Sequence, residues 1–176
     1  QVNLFESGER VKMSKRAGHF HPTESIADKI SSMLLFVPEL NLHVSRPERW
    51  DSDHVVTMTD ELMALTQEIV RSGHADRVHV GLDYFDASIN RIGAYVVGIR
   101  STQRAMLQAL LEPTEKLREF ELQDKNFQRL AYLEELKSMP WNAVYNYYCQ
   151  QQAVPVGDAY IRDIQEYEDQ VTSKRV

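Results

Sequence analysis

The sequence predicts an α/β chain whose first half alternates strands with helices and whose second half is helical. Three observations carry this expectation. Two short apolar runs, Leu40 to Ser45 and Val78 to Leu82, have the length of buried strands, and the first is bounded by Pro38 and Pro47. Between them Leu62, Leu65, Ile69 and Val70 recur at helical spacing, and strand, helix, strand is the parallel unit. From Pro113 onward the apolar residues keep helical spacing alone.

Taken in order, an opening helix is marked by Ile26, Ile30, Met33 and Leu34 and closes before Pro38. After the first strand, Thr57 to Asp60 offer capping oxygens for the second helix and Gly73 is its stop signal. The second strand ends at Asp83. A long helix is expected over 87–111, with Ile89, Ile92, Val96, Ile99, Met106 and Leu110 on one side and Pro113 beyond its end. Three further helices are marked by Leu117 and Phe120, by Phe127, Leu130, Leu133 and Leu136, and by Trp141, Val144 and Tyr148. Pro140 suits the first position of the last of these. The loop Val154-Pro155-Val156-Gly157 then leads to Asp158 as an N-cap, and Ile161, Ile164, Tyr167 and Val171 line the final helix.

A chain of 176 residues with 43% hydrophobic and 26% charged residues can bury a core, which excludes disorder as an overall description. No apolar stretch approaches the roughly 20 residues that cross a bilayer. A formal charge of -6 offers no whole-chain attraction for nucleic acid, so that partner is not expected. Cys149 stands alone and cannot form an internal disulfide; it is expected as an inert, partly buried thiol. Without an export signal at the start, the expected location is the cytoplasm.

All six histidines fall at or before His79, which concentrates any chemistry in the first half. His19-Phe20-His21, His43, Asp51-Ser52-Asp53-His54 and Asp83 offer imidazole nitrogens and carboxylate oxygens without a nearby thiolate. That mixture suits Mn²⁺, Mg²⁺ or a related divalent ion. On extended backbone the i, i+2 pairs His19/His21 and Asp51/Asp53 each face one side. Asp83 sits where a strand ends, and ligands of parallel α/β folds bind at that end. The same Asp and Ser residues also suit ordinary turns and caps. His79 is expected as a hydrogen-bonded core or rim residue, His74 as solvated loop, and Trp141, Tyr145, Tyr147 and Tyr148 as packing.

His19-Phe20-His21-Pro22-Thr23-Glu24 and Leu42-His43-Val44-Ser45-Arg46-Pro47-Glu48-Arg49-Trp50-Asp51-Ser52-Asp53-His54 resemble bacterial L-rhamnose isomerase. So do Gly81-Leu82-Asp83-Tyr84-Phe85-Asp86-Ala87-Ser88-Ile89-Asn90-Arg91, Ala109-Leu110-Leu111-Glu112-Pro113 and Met139-Pro140-Trp141. The resemblance runs from about residue 17 to the C-terminus. It implies a (β/α)8, or TIM, barrel enzyme that interconverts L-rhamnose and L-rhamnulose with two divalent ions, commonly manganese, as a homotetramer.

The fold so implied is α/β: the C-terminal part of such a barrel over 19–112, then a helical extension over 113–176. It is incomplete as a barrel, because a whole one takes about 250 residues. The resemblance implies His19, Asp51 and Asp53 as ligands of the catalytic ion, His43 and Asp83 as ligands of its neighbour, and Asp76 as an acidic residue assisting the active site. Arg16 stands where the family has an Asp ligand, three residues before His19. A cation there is repelled by about 4 kcal/mol per unit of metal charge at 4 Å and an effective dielectric of 20, so the second ion is expected to bind weakly. Strands left without neighbours are expected to expose edges and an apolar face.

Residues 2–18 instead resemble the KMSKS-type region of arginyl-tRNA synthetases, whose lysines contact ATP phosphates. That implies a foreign segment over 1–18, joined at Ala17-Gly18. The other motifs and domains of a working synthetase cannot be found, so Lys12, Lys15 and Arg16 are expected as a stranded signature. Besides a sugar isomerase, the open readings are a non-catalytic helix-rich assembly fragment and an ATP- or tRNA-binding remnant.

Overall fold

The computed structural model describes the backbone of residues 3–7, 10–16, 24–46, 53–85 and 88–175, with side chains from residue 24 on. The chain forms two compact units, Gln1–Met106 and Leu107–Val176.

The first unit holds a four-stranded sheet in sequential order: β1 (Asn3–Ser7), β2 (Arg10–Arg16), β3 (Glu39–Val44) and β4 (Val78–Leu82). β1 runs antiparallel to β2, whereas β2, β3 and β4 are mutually parallel. β3 and β4 lie where the apolar runs place them. β1 and β2 fall in the segment that resembles a synthetase signature. β2 is rich in Lys, Arg and Ser, which are poor strand formers on their own; its pairing with distant β3 supplies the order. In that register Lys12, Ser14 and Arg16 lie opposite Glu39, Asn41 and His43.

Alternation along β3 explains the layering. Leu40, Leu42 and Val44 are buried, and Asn41 and His43 lie on the other face. α1 (Ala27–Leu34) connects β2 to β3, and α2 (Asp60–Arg71) connects β3 to β4. Ile30 and Leu34 from α1 and Leu62, Leu65 and Ile69 from α2 join the β3 leucines in one core. A hydrogen bond from Ser31 to Glu68 ties the two helices. α2 starts as predicted: Thr59 Oγ1 accepts from the Leu62 backbone N–H at 3.2 Å, and Gly73 follows the helix with φ +73°. After it, a 3₁₀ turn at Ala75–Arg77 sends the Arg77 guanidinium back across the α1–β3 connection. Its Nε donates to the Pro38 carbonyl at 2.7 Å, and its Nη2 donates to those of Leu34 at 2.8 Å and Val37 at 2.6 Å.

α3 (Arg91–Leu110) starts later than the expected residue 87, behind Asn90, whose Oδ1 accepts from Gly93 N–H at 2.8 Å. Its buried positions include the small residues Ala94, Gly98 and Ala105 beside Arg100, while Ile89, Ile92, Ile99 and Leu110 are exposed. The spacing therefore gave the helix but not the face that packs in this chain.

The second unit contains α4 (Thr114–Leu122), α5 (Asn126–Lys137), α6 (Trp141–Gln151) and α7 (Ala159–Gln170), as the spacing predicts. Pro140 takes the N-cap position, one residue ahead of the expected one, and Asp158 takes the N-cap of α7 without a side-chain capping bond. Leu117, Tyr145 and Cys149 are buried. Tyr147 and Tyr148, expected as packing, are exposed, because the i, i+4 pair Tyr145/Cys149 defines the inward face of α6.

Candidate functional site

The C-terminal ends of β3 and β4 gather the described donors. His43 and Gly81 are register partners, and Asp83, two residues on, shares their face. The ladder is extended by a bond from Asp83 N–H to the Val44 carbonyl at 3.1 Å. This places Asp83 Oδ2 2.8 Å from His43 Nδ1, with both side chains partly exposed. On the far side of the ring, the Asn41 amide nitrogen lies 3.2 Å from Nε2. With an amide donor at Nε2, a ring that carries a single proton holds it on Nδ1 and donates it to Asp83.

The chain leaves β3 and returns to the same end. Arg46 and His54 form an isolated antiparallel bridge through mutual backbone bonds of 3.0 and 3.2 Å, and Arg46 Nε donates to the Val55 carbonyl at 3.2 Å. Asp53 is thereby set next to Ser45, whose hydroxyl donates to Asp53 Oδ1 at 2.7 Å. His19, His21 and Asp51 lie outside the described residues, as does the side chain of Arg16. Asp76 is exposed in the turn before β4, at the end of that strand opposite Asp83 and about 20 Å along it. His74 is exposed in its loop, and His79 is a rim residue bonded to Glu39 Oε2 at 3.0 Å.

Among the described residues no group of three or more His, Cys, Asp or Glu side chains converges as a metal cage would. The His43–Asp83 pair nevertheless fits two of the six positions of an octahedral ion. Two ligands of an octahedral ion, each about 2.1 Å from it, are about 3 Å apart, close to the 2.8 Å between Nδ1 and Oδ2. An ion there would take the place of the shared proton, and Asn41 and Ser45 are the outer groups that orient His43 and Asp53. Sequence reasoning missed both. Asn41 was accessible to it, because i, i+2 residues of a strand share a face.

Tyr84 follows Asp83 and is buried beneath the site. Its ring stacks on Tyr95 at 4.9 Å between centroids, and its hydroxyl donates to the Ala94 carbonyl at 2.7 Å. Burial, and secondarily the neighbouring Tyr95, pushes the Tyr84 phenol up to about 12. An unfolded tyrosine ionises near 10, so above that pH the unfolded chain loses a proton that the folded chain keeps. Stability from this group is therefore fully present below pH 10 and declines between about pH 10 and 12. Urea midpoints at pH 9 and pH 11 should show a decline that Tyr84→Phe reduces.

Among the described residues no helix is long and apolar enough to cross a membrane. Residues 8–175 match the family model of L-rhamnose isomerase (RhaA), a match that begins inside the segment resembling a synthetase. L-rhamnose isomerase of Bacteroides thetaiotaomicron is 65% identical over 158 residues, which are 90% of this chain and 38% of that protein. L-rhamnose isomerases of Yersinia pestis and Yersinia pseudotuberculosis are each 58% identical over 159 residues, again 90% of this chain and 38% of theirs. The chain thus spans about 38% of the length of these relatives. Matched across nearly its whole length, the chain belongs to the L-rhamnose isomerase family.

Proposed function

We propose that this chain carries the metal-ligand portion of an aldose–ketose isomerase acting on L-rhamnose and L-rhamnulose. The observation that carries the reading is the His43–Asp83 pair at the C-terminal ends of adjacent parallel strands, with Asp53 returned to the same end. On this reading β2, β3 and β4 are consecutive strands of a (β/α)8 barrel, supported by their sequential parallel order with a helix between each pair. The second unit is its helical extension, and the working assembly is a cytoplasmic homotetramer.

His19, Asp51 and Asp53 would hold the catalytic ion, and His43 and Asp83 its neighbour, manganese being the metal we assign. When bound, such an ion supplies Lewis-acid polarisation of a sugar carbonyl and a more acidic bound water. The reaction moves a hydride from C2 to C1 and a proton from O2 to O1, so it needs no strong carbon base. Accordingly the chain's own residues serve to orient: Asn41 fixes the His43 ring, and Ser45 fixes the Asp53 carboxylate. Among the described residues assigned a role, Asp76 lies at the far end of its strand, and we give it an assisting role without direct contact to His43 or Asp83. The ATP-binding reading of Lys12, Lys15 and Arg16 is the weaker one, since β2 pairs on both edges and its backbone N–H groups are not free to cradle phosphate.

Manganese at 100-fold above its dissociation constant should stabilise the chain by about 2.7 kcal/mol, read as a raised melting temperature. Paired Asp51→Ala and Asp53→Ala changes should remove most of that shift and abolish manganese-dependent rhamnulose formation. A melting temperature indifferent to excess manganese or cobalt would overturn the metal assignment.

A further inference from the structure

We propose that Tyr84 is a positioning residue: anchored to α3, it holds the end of β4 so that Asp83 meets His43. The pairing of β3 with β4 ends at Leu82, and the bond from Asp83 N–H to Val44 is the last rung. Beyond that rung the backbone needs another restraint, and Tyr84 provides it from the opposite face. Asp83 and Phe85 are partly or largely exposed, whereas Tyr84 between them is 5% exposed.

Three contacts grip it. The hydroxyl donates to the Ala94 carbonyl, the ring stacks on Tyr95 at an interplanar angle of 23°, and the Tyr95 hydroxyl lies 3.4 Å from the Tyr84 carbonyl oxygen. Space for the hydroxyl exists because residue 98 is glycine. A Cβ there would stand 2.3 Å from the Tyr84 oxygen, which no side chain could accept without displacing the ring. The backbone bond to Val44 and the anchor on α3 therefore hold the Asp83 backbone from two directions. Asn41 and Asp83 in turn bracket the two nitrogens of His43.

The first arm of the test uses the metal-free 176-residue chain with ¹⁵N-labelled histidine and does not depend on the metal reading. Native protein should show His43 with its proton on Nδ1, bonded to Asp83. Tyr84→Phe keeps the ring but loses the hydroxyl, and should move the His43 signal toward its position in Asp83→Asn. Thr66→Val removes a buried hydroxyl bonded within α2 and serves as a purely structural control that leaves the signal in place. Should Tyr84→Phe fail to fold, Tyr95→Phe must move the signal in the same direction by less. An unmoved His43 signal in the folded variant overturns the proposal.

The second arm rests on the metal reading and titrates Mn²⁺. Tyr84→Phe should weaken affinity about tenfold, the lower end of what loss of an outer orienting group costs. If the histidine signal moves but the native chain binds no Mn²⁺, the positioning role stands and the metal assignment falls.

Discussion

Leu42→Ala is expected to lower the unfolding free energy by about 3 kcal/mol, seen as a lower urea midpoint with an unchanged slope. Leu42 has no exposed surface and sits in the cluster shared by β3, α1 and α2. Truncation removes apolar atoms from that cluster and leaves a cavity in a core shared with Ile30 of α1 and with Leu65 and Ile69 of α2. Collapse onto the void would require moving a strand paired on both sides, so little of the cost can be recovered. A change below about 1 kcal/mol would show that β3 is not the centre of the core.

Arg77→Met should cost about 3 kcal/mol for a different reason. The substitution keeps much of the aliphatic stem but removes a charged donor from three carbonyls, those of Leu34, Val37 and Pro38. Leu34 and Val37 are buried, so their oxygens are poorly placed to recruit water instead. The Leu34 carbonyl also belongs to the last turn of α1, whose negative dipole end the guanidinium offsets. Arg77→Lys should restore less than half of the loss, because one ammonium cannot reproduce the planar fork. Thermal melting of the three proteins side by side checks the order Arg, Lys, Met.

Legibility in the sequence followed the range of the forces involved. β3 and β4 could be read because apolar runs, proline borders and a terminal aspartate are local signals. α2 was legible down to its cap at Thr59 and its stop at Gly73. β2 was not, because its strand character comes from β3, more than twenty residues away, and its own Lys and Arg residues read as a stranded synthetase-type signature. The inward face of α3 was misleading for a related reason. Ile92 and Ile99 outweigh Ala94 and Gly98 in hydrophobicity, yet Tyr84 needs small residues beneath it. Of the site, donor identity was legible, as was the end of the strand where Asp83 sits. The return of Asp53 through the Arg46–His54 bridge was not, because a two-residue bridge leaves no periodic trace.

The alternation within β3 carries one more consequence. Core leucines and the site imidazole occupy consecutive positions of the same short strand, so they cannot be edited independently by length. Losing or gaining a single codon between Glu39 and His43 would swap inside for outside, sending an imidazole toward the helices and a leucine toward the donors. Inheritance of this segment therefore tolerates exchange of letters far better than slippage of the reading ruler.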